Sequence, residues 1–181
     1  MRMINIIGEI DANTIKEVLN EIFKIENADN EILESNSKLA NRDDHQQLED
    51  LYVNIISLGG SVYGATAIYD ALKNLKCKVI TRGFGTCCSS ALFILLAGNE
   101  RYAGKNTEFL IHSLSYDMNY VKLADHIDLA KHHKKLQEKM DKVILDETEI
   151  TKEMLKDKER EDWLLFFDEA LELKIIDGEI K

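Results

Sequence analysis

No proline occurs in this chain of 181 residues, so none of its turns is fixed by a pyrrolidine ring. Cysteine is nearly as scarce. Cys77, Cys87 and Cys88 make an odd count, and the adjacent pair lacks metal-ligand spacing. A disulfide framework and a thiolate metal site are excluded, and buried, reduced thiols are expected. Basic residues are outnumbered 33 to 23, which leaves a net charge of −10. With no basic patch interleaved with aromatics, nucleic acid is excluded as a partner. The longest apolar run, Ala91 to Gly98, falls far short of the ~20 residues of a membrane span. The opening Met1-Arg2-Met3-Ile4-Asn5 reaches an acid at Glu9 and has no signal-peptide pattern. No His-Glu-x-x-His or similar ligand spacing is present, so neither a metal nor another cofactor is expected. These absences predict an acidic, cytoplasmic protein that binds neither membrane nor nucleic acid.

What is present is enough for one core: 45% of the residues are hydrophobic, and one domain over residues 1–181 is the expectation. Short apolar, β-branched runs read as strands at Ile4–Gly8, Leu51–Ser57, Val79–Gly85, Thr107–Ile111 and Lys174–Asp177, with another short one between Asn99 and Asn106. Helical spacing covers Asp11–Ile25, Val62–Leu75, Ser89–Ala97, Val121–Thr148, Ile150–Lys158 and Asp168–Leu173. Between them, Asn27 to Asp50 is polar and reads as a surface insertion with at most a helical turn near Gln46–Leu51. Strands alternating with helices predict an α/β fold with largely parallel pairing. No internal repeat or interdomain linker shows.

Three segments carry polar groups with chemical potential. Ser89 and Ser90 follow Gly85-Thr86-Cys87-Cys88 and lead into the apolar run Leu92–Gly98, which puts a serine at the start of a buried helix. His112 closes the strand-like Phe109-Leu110-Ile111, whereas His45, His126, His132 and His133 lie in charged, solvated stretches. Glu161 and Asp162 end a charged run, and the residues alone do not choose between them. A hydroxyl, an imidazole and a carboxylate are the parts of a nucleophile, base and orienting acid. Gly59-Gly60, after a buried strand and before a helix, leaves backbone N–H groups free to meet a developing oxyanion.

Read in order, these segments resemble one family. Ser57-Leu58-Gly59-Gly60-Ser61-Val62 with Ile68-Tyr69-Asp70 is similar to the S-P-G-G-S-V…I-Y-D signature of the Clp protease proteolytic subunit, ClpP. Gly85-Thr86-Cys87-Cys88-Ser89 with Phe93–Gly98 resembles its G-Q-A-A-S…F-L-L-A-A-G. Arg101-Tyr102-Ala103 and Ile111-His112 match R-x-A…I-H, and Glu159-Arg160…Asp162-Trp163, Glu169-Ala170 and Ile175-Ile176-Asp177 match its C-terminal motifs. The resemblance implies a crotonase-like spiral of ββα units with a protruding handle helix, here about residues 121–148. It implies Ser89 as nucleophile and His112 as general base. Matching Glu159-Arg160 alone selects Glu161, while the longer spacing from Thr148 to Glu169-Ala170 fits Asp162 as the acid. Gly60 and Ser90 take the place of the oxyanion-hole donors.

The expected function is therefore a serine endopeptidase acting on peptides or unfolded proteins inside a homo-oligomeric chamber, a heptameric ring or two stacked rings. A phage capsid-maturation (prohead) protease and a non-catalytic ring or scaffold subunit are the alternatives. The departures concern shape. Leu58 replaces the signature proline, Ser113-Leu114 replace Gln-Pro after the base, and Ser90-Ala91 replace Met-Gly beside the nucleophile. The chain starts almost directly on the first core strand, which sets an expectation against docking to a Clp-type ATPase.

Overall fold

The computed structural model describes residues 1–115 and 122–180. Strand β1 (Arg2–Ile7) leads into helix α1 (Ala12–Ser37), followed by a single 3-10 turn at Arg42–Asp44. Then come β2 (Leu51–Ser57), α2 (Val62–Asn74), β3 (Val79–Cys88), α3 (Ser90–Leu95), β4 (Glu100–Ala103) and β5 (Glu108–Ile111). The chain finishes with α4 (Leu123–Glu147), α5 (Lys152–Asp157), β6 (Trp163–Leu165), α6 (Phe167–Glu172) and β7 (Gly178–Glu179). The sheet runs β1-β2-β3-β4-β7, parallel throughout, as strand–helix alternation predicts. This is a mixed α/β architecture in keeping with the expected fold. Among the described residues, no helix is long and apolar enough to cross a membrane.

The central strand β3 changes neighbours along its length. Its first half, Ile80–Gly83, pairs with β4, and its second half, Thr86–Cys88, pairs with β5. Between them Gly85 takes φ +63, and the register with β2 shifts after Ile55. Beyond the bend the end of β3 stays paired with β2 at Ser57–Cys87 and takes β5 in place of β4 on its other side. Strand β6 extends this corner by antiparallel pairing with β5.

One sheet face packs on α1, α2 and α3 around Ile6, Val53, Ile55, Ile68, Leu72 and Leu95. Helices α1 and α2 approach closely because Gly64 has no side chain, and Ile15 fills the space a Cβ would need. The other face carries a polar ladder: Arg82 donates to Asn54 at 2.8 Å, and Asn54 donates to Asn5 at 2.8 Å. Helix α4 stands apart, with Ile144 its one buried residue, near its C-terminal end. That end is tied down by Arg101, which donates to the Glu147 and Lys174 carbonyls at 2.9 and 3.0 Å.

Three expectations are revised. Helix α1 does not stop near Ile25; it runs to Ser37, through the first half of the polar stretch expected to be a surface excursion. Its inward stripe, Val18, Ile22, Ile25, Asp29, Ile32 and Asn36, keeps helical spacing but turns half polar after Ile25. Arg2 forms an ion pair with the buried Asp29, and Asn36 exchanges hydrogen bonds with the Gln46 backbone at 2.9 Å. Residues 46–50 are not helical. At the C-terminus, Ile175 and Ile176 are fully buried but belong to the turn after α6, where Lys174 takes φ 57, and the strand falls at Gly178–Glu179. Strand β6 was not legible in the sequence, because Trp163–Leu165 is too short to show alternation. The expected start of the long helix at Val121 lies outside the described residues.

Candidate active site

The bend of β3 delivers Ser89 to the junction between the strand and α3. Its backbone is at φ 54, ψ −127, a region that costs an L-residue about 1–3 kcal/mol. Neighbouring bonds hold it there. Ser89 N donates to the Leu110 carbonyl at 2.8 Å, and the Ser89 carbonyl accepts from Leu92 N at 3.1 Å. The two adjacent serines consequently differ. Ser89 is partly exposed and lines a cleft, whereas Ser90 is fully buried and its hydroxyl has no hydrogen-bond partner among the described residues.

His112 sits just beyond β5, the strand paired with the end of β3, so this pairing brings residues 89 and 112 together. Its Nε2 lies 2.8 Å from Ser89 Oγ. Its Nδ1 lies 2.8 Å from the Ser113 carbonyl oxygen. A carbonyl can only accept, so Nδ1 carries the proton; in the neutral ring Nε2 is then bare and accepts from the serine hydroxyl. This is the tautomer a general base needs.

Asp162 lines a separate, open groove with His112, Ser113 and Glu159–Glu161. No hydrogen bond joins it to His112 among the described residues, since the Ser113 carbonyl occupies Nδ1. Glu161 accepts a hydrogen bond from Lys158 Nζ at 2.9 Å. The Ser113 hydroxyl anchors this segment by donating to the Glu159 carbonyl at 2.7 Å.

The glycine turn lies close to the start of α3: a Cβ on Gly59 would stand 3.2 Å from Ser90 N. Gly60 pairs with Ile10 as an isolated parallel bridge, in which Ile10 N donates to the Gly59 carbonyl and Ser61 N donates to the Ile10 carbonyl, both at 2.9 Å. The groups on either side of Gly60 thus face Ile10, and its own N–H points the opposite way, on the side where Gly60 and Ser89 line one recess. Ser90 N–H is the first of α3, and the first turn of a helix has no intrahelical acceptor. Gly60 at φ +144 could carry no side chain: a Cβ would stand 2.7 Å from the Ile10 carbonyl oxygen.

The recess beside Ser89 is small, about 80 Å³, with Val62, Leu92, Phe93, Met140 and Ile144 among its lining residues. A larger cavity of about 670 Å³ opens on the other side of His112, between α4 and α5. No cluster of three or more His, Cys, Asp or Glu occurs among the described residues. The three cysteines are free and buried, and burial pushes the Cys77 thiol up to about 11 and Cys87 well above its ordinary value. Neither is primed as a competing nucleophile. Sequence reasoning missed the Ser113 carbonyl and Gln137, which accepts from Leu114 N at 2.7 Å. No local signal marks a glutamine in the middle of a charged helix.

The comparisons come down on one side. A family model described as Clp protease matches residues 20–181. Among solved structures, a mutant of ClpP1 from Listeria monocytogenes superposes with a TM-score of 0.79 at 22% sequence identity, covering 99% of this chain and 91% of that chain.

Proposed function

Because the chain belongs to the Clp protease family, we propose that it is a serine endopeptidase with Ser89 as nucleophile, His112 as general base and Asp162 as orienting acid. The observation that carries this reading is the 2.8 Å contact between His112 Nε2 and Ser89 Oγ, on an imidazole whose other nitrogen is held as a donor. In the first step Ser89 Oγ bonds to the scissile carbonyl carbon while its proton passes to His112 Nε2. The carbonyl oxygen becomes an oxyanion facing the N–H groups of Gly60 and Ser90. His112 then gives the proton to the leaving amine as the C–N bond breaks, which leaves an acyl-enzyme. Water, deprotonated by the same imidazole, hydrolyses it and restores Ser89. Asp162, in a groove with His112, accepts the hydrogen bond from Nδ1–H when it replaces the Ser113 carbonyl, and the proton stays on the ring.

Substrates are peptides or unfolded chains that present a small apolar side chain to the recess of Val62, Leu92 and Phe93. The protein works as a homo-oligomer. Helix α4 leaves Leu123 77% and Ile127 47% exposed, an apolar surface that a second copy covers.

Labelling with a fluorophosphonate serine probe tests the assignment. The wild type is expected to label and the Ser89→Ala variant to lose the label. Wild-type protein that is assembled yet inert to the probe points instead to a non-catalytic ring subunit.

A further inference from the structure

The hydrogen bond that fixes the His112 tautomer does not end at the Ser113 carbonyl. That carbonyl and the Leu114 N–H belong to one peptide unit, and Leu114 N donates to Gln137 Oε1 at 2.7 Å. Gln137 Nε2 in turn donates to Asp141 Oδ1 at 2.7 Å. The orientation of the glutamine amide is forced. Leu114 N–H can only donate and a carboxylate can only accept, so one arrangement alone satisfies both ends. Gln137 and Asp141 are four residues apart on α4 and so share a face of the helix.

Asp141 lacks a structural reason to be where it is. It is half-buried at the cavity between α4 and α5, burial pushes its carboxyl above the ordinary value, and no ion pair reaches it among the described residues. A carboxylate withdrawn from water without a cation costs stability. Among the described residues, the side chain that hydrogen-bonds to it is the amide that leads to His112.

We propose that Asp141, acting through Gln137 and the Ser113–Leu114 peptide, is a second orienting carboxylate for His112, with Gln137 as the positioning residue that links them. This rests on the assignment of Ser89 and His112 given above. The two amides lie head to tail, each with its carbonyl end towards His112, so each hydrogen bond polarises the next. When His112 takes the serine proton, the imidazolium Nδ1–H meets a carbonyl made more negative by this chain. Nδ1 carries one proton, so the Ser113 carbonyl and Asp162 are alternative acceptors for it. The relay serves the arrangement in which the carbonyl holds the ring, and it keeps the base in its working tautomer before Asp162 engages.

Two readouts on the full chain test the relay. Long-range nitrogen–proton NMR of histidine-labelled protein reports the tautomer, with the His112 signal identified by its loss in His112→Gln. The rate of fluorophosphonate labelling reports the activated serine. Wild type is expected to show the Nδ1–H tautomer. Gln137→Leu, which leaves Leu114 N–H without an acceptor, is expected to mix the tautomers and slow labelling about tenfold. Asp141→Asn keeps an acceptor for Gln137 but removes the charge. It is expected to preserve the tautomer and slow labelling about threefold, and it serves where Gln137→Leu does not fold. Wild type in the Nε2–H tautomer, or both variants matching wild type in both readouts, overturns the relay. Absence of labelling in wild type with a tautomer that still depends on Gln137 keeps the relay and removes the peptidase assignment. Normal labelling that ignores both variants does the reverse.

Discussion

A Cβ added to Gly59 would stand 2.9 Å from the Cβ of Ser89 and 3.0 Å from the Cys88 carbonyl oxygen. The glycine pair is therefore a spacer for the serine as well as a source of N–H groups. Gly59 is at φ +108, where a side chain is strained even in open space. Gly59→Ala is expected to cost about 2 kcal/mol in stability and to reduce labelling of Ser89 by roughly tenfold or more, because the serine backbone must move. Urea denaturation and probe kinetics check the two effects separately. An alanine variant of wild-type stability and rate would show that the close approach constrains nothing.

Arg2 and Asp29 pin the first strand to the far half of α1. Asp29 is 1% exposed. Arg2→Met strands its carboxylate and is expected to cost about 3 kcal/mol, while Arg2→Met combined with Asp29→Leu recovers most of the loss. The midpoint of denaturant unfolding for the three variants measures this. A double variant as unstable as Arg2→Met argues that the pair packs rather than neutralises.

Asp141 gives a pH signature with a definite sign. Burial pushes its carboxyl above the ordinary carboxylate value of 3.8 in the folded protein. Folded protein then binds more protons than unfolded chain between that value and the folded one. The contribution of this group to stability is greatest at low pH and falls as pH rises through the folded value. Asp141→Asn is therefore expected to melt no lower than wild type at neutral pH and to lose any advantage near about pH 3. A clear drop in melting temperature at neutral pH would mean that the charged form is stabilised by the fold, contrary to its burial.

The exposed row on α4 predicts how copies meet. Ile127→Asp places a charge on the protruding first half of the helix, far from Ile144, where the helix enters the core. Light scattering is expected to show a shift from oligomer towards protomer, with circular dichroism unchanged. An oligomer of unaltered mass moves the interface elsewhere.

Much of the layout was legible before any coordinates. Val62–Asn74 declares itself by the helical spacing of Ala65, Ile68 and Leu72, and β2 by its apolar, β-branched run. Ser89 and His112 stand out because one opens an apolar run and the other closes one. The second half of α1 was hidden because its inward positions include Asp29 and Asn36, whose partners, Arg2 and Gln46, lie 27 and 10 residues away. Hydropathy counts such residues as solvent-facing, since it sees the polar atom and not the bond that satisfies it.

The sequence by itself determined the order of the strands and helices up to α5 and the candidate pair of hydroxyl and imidazole, because periodicity and local backbone chemistry are written in neighbouring residues. Only the tertiary structure decided which serine faces the cleft, which atom holds His112 Nδ1, and that Gln137 and Asp141 stand behind it. The Ser89–His112 and Leu114–Gln137 bonds each span 23 residues. Such contacts depend on where β3 bends and on how α4 meets the segment after β5, and no local pattern encodes either.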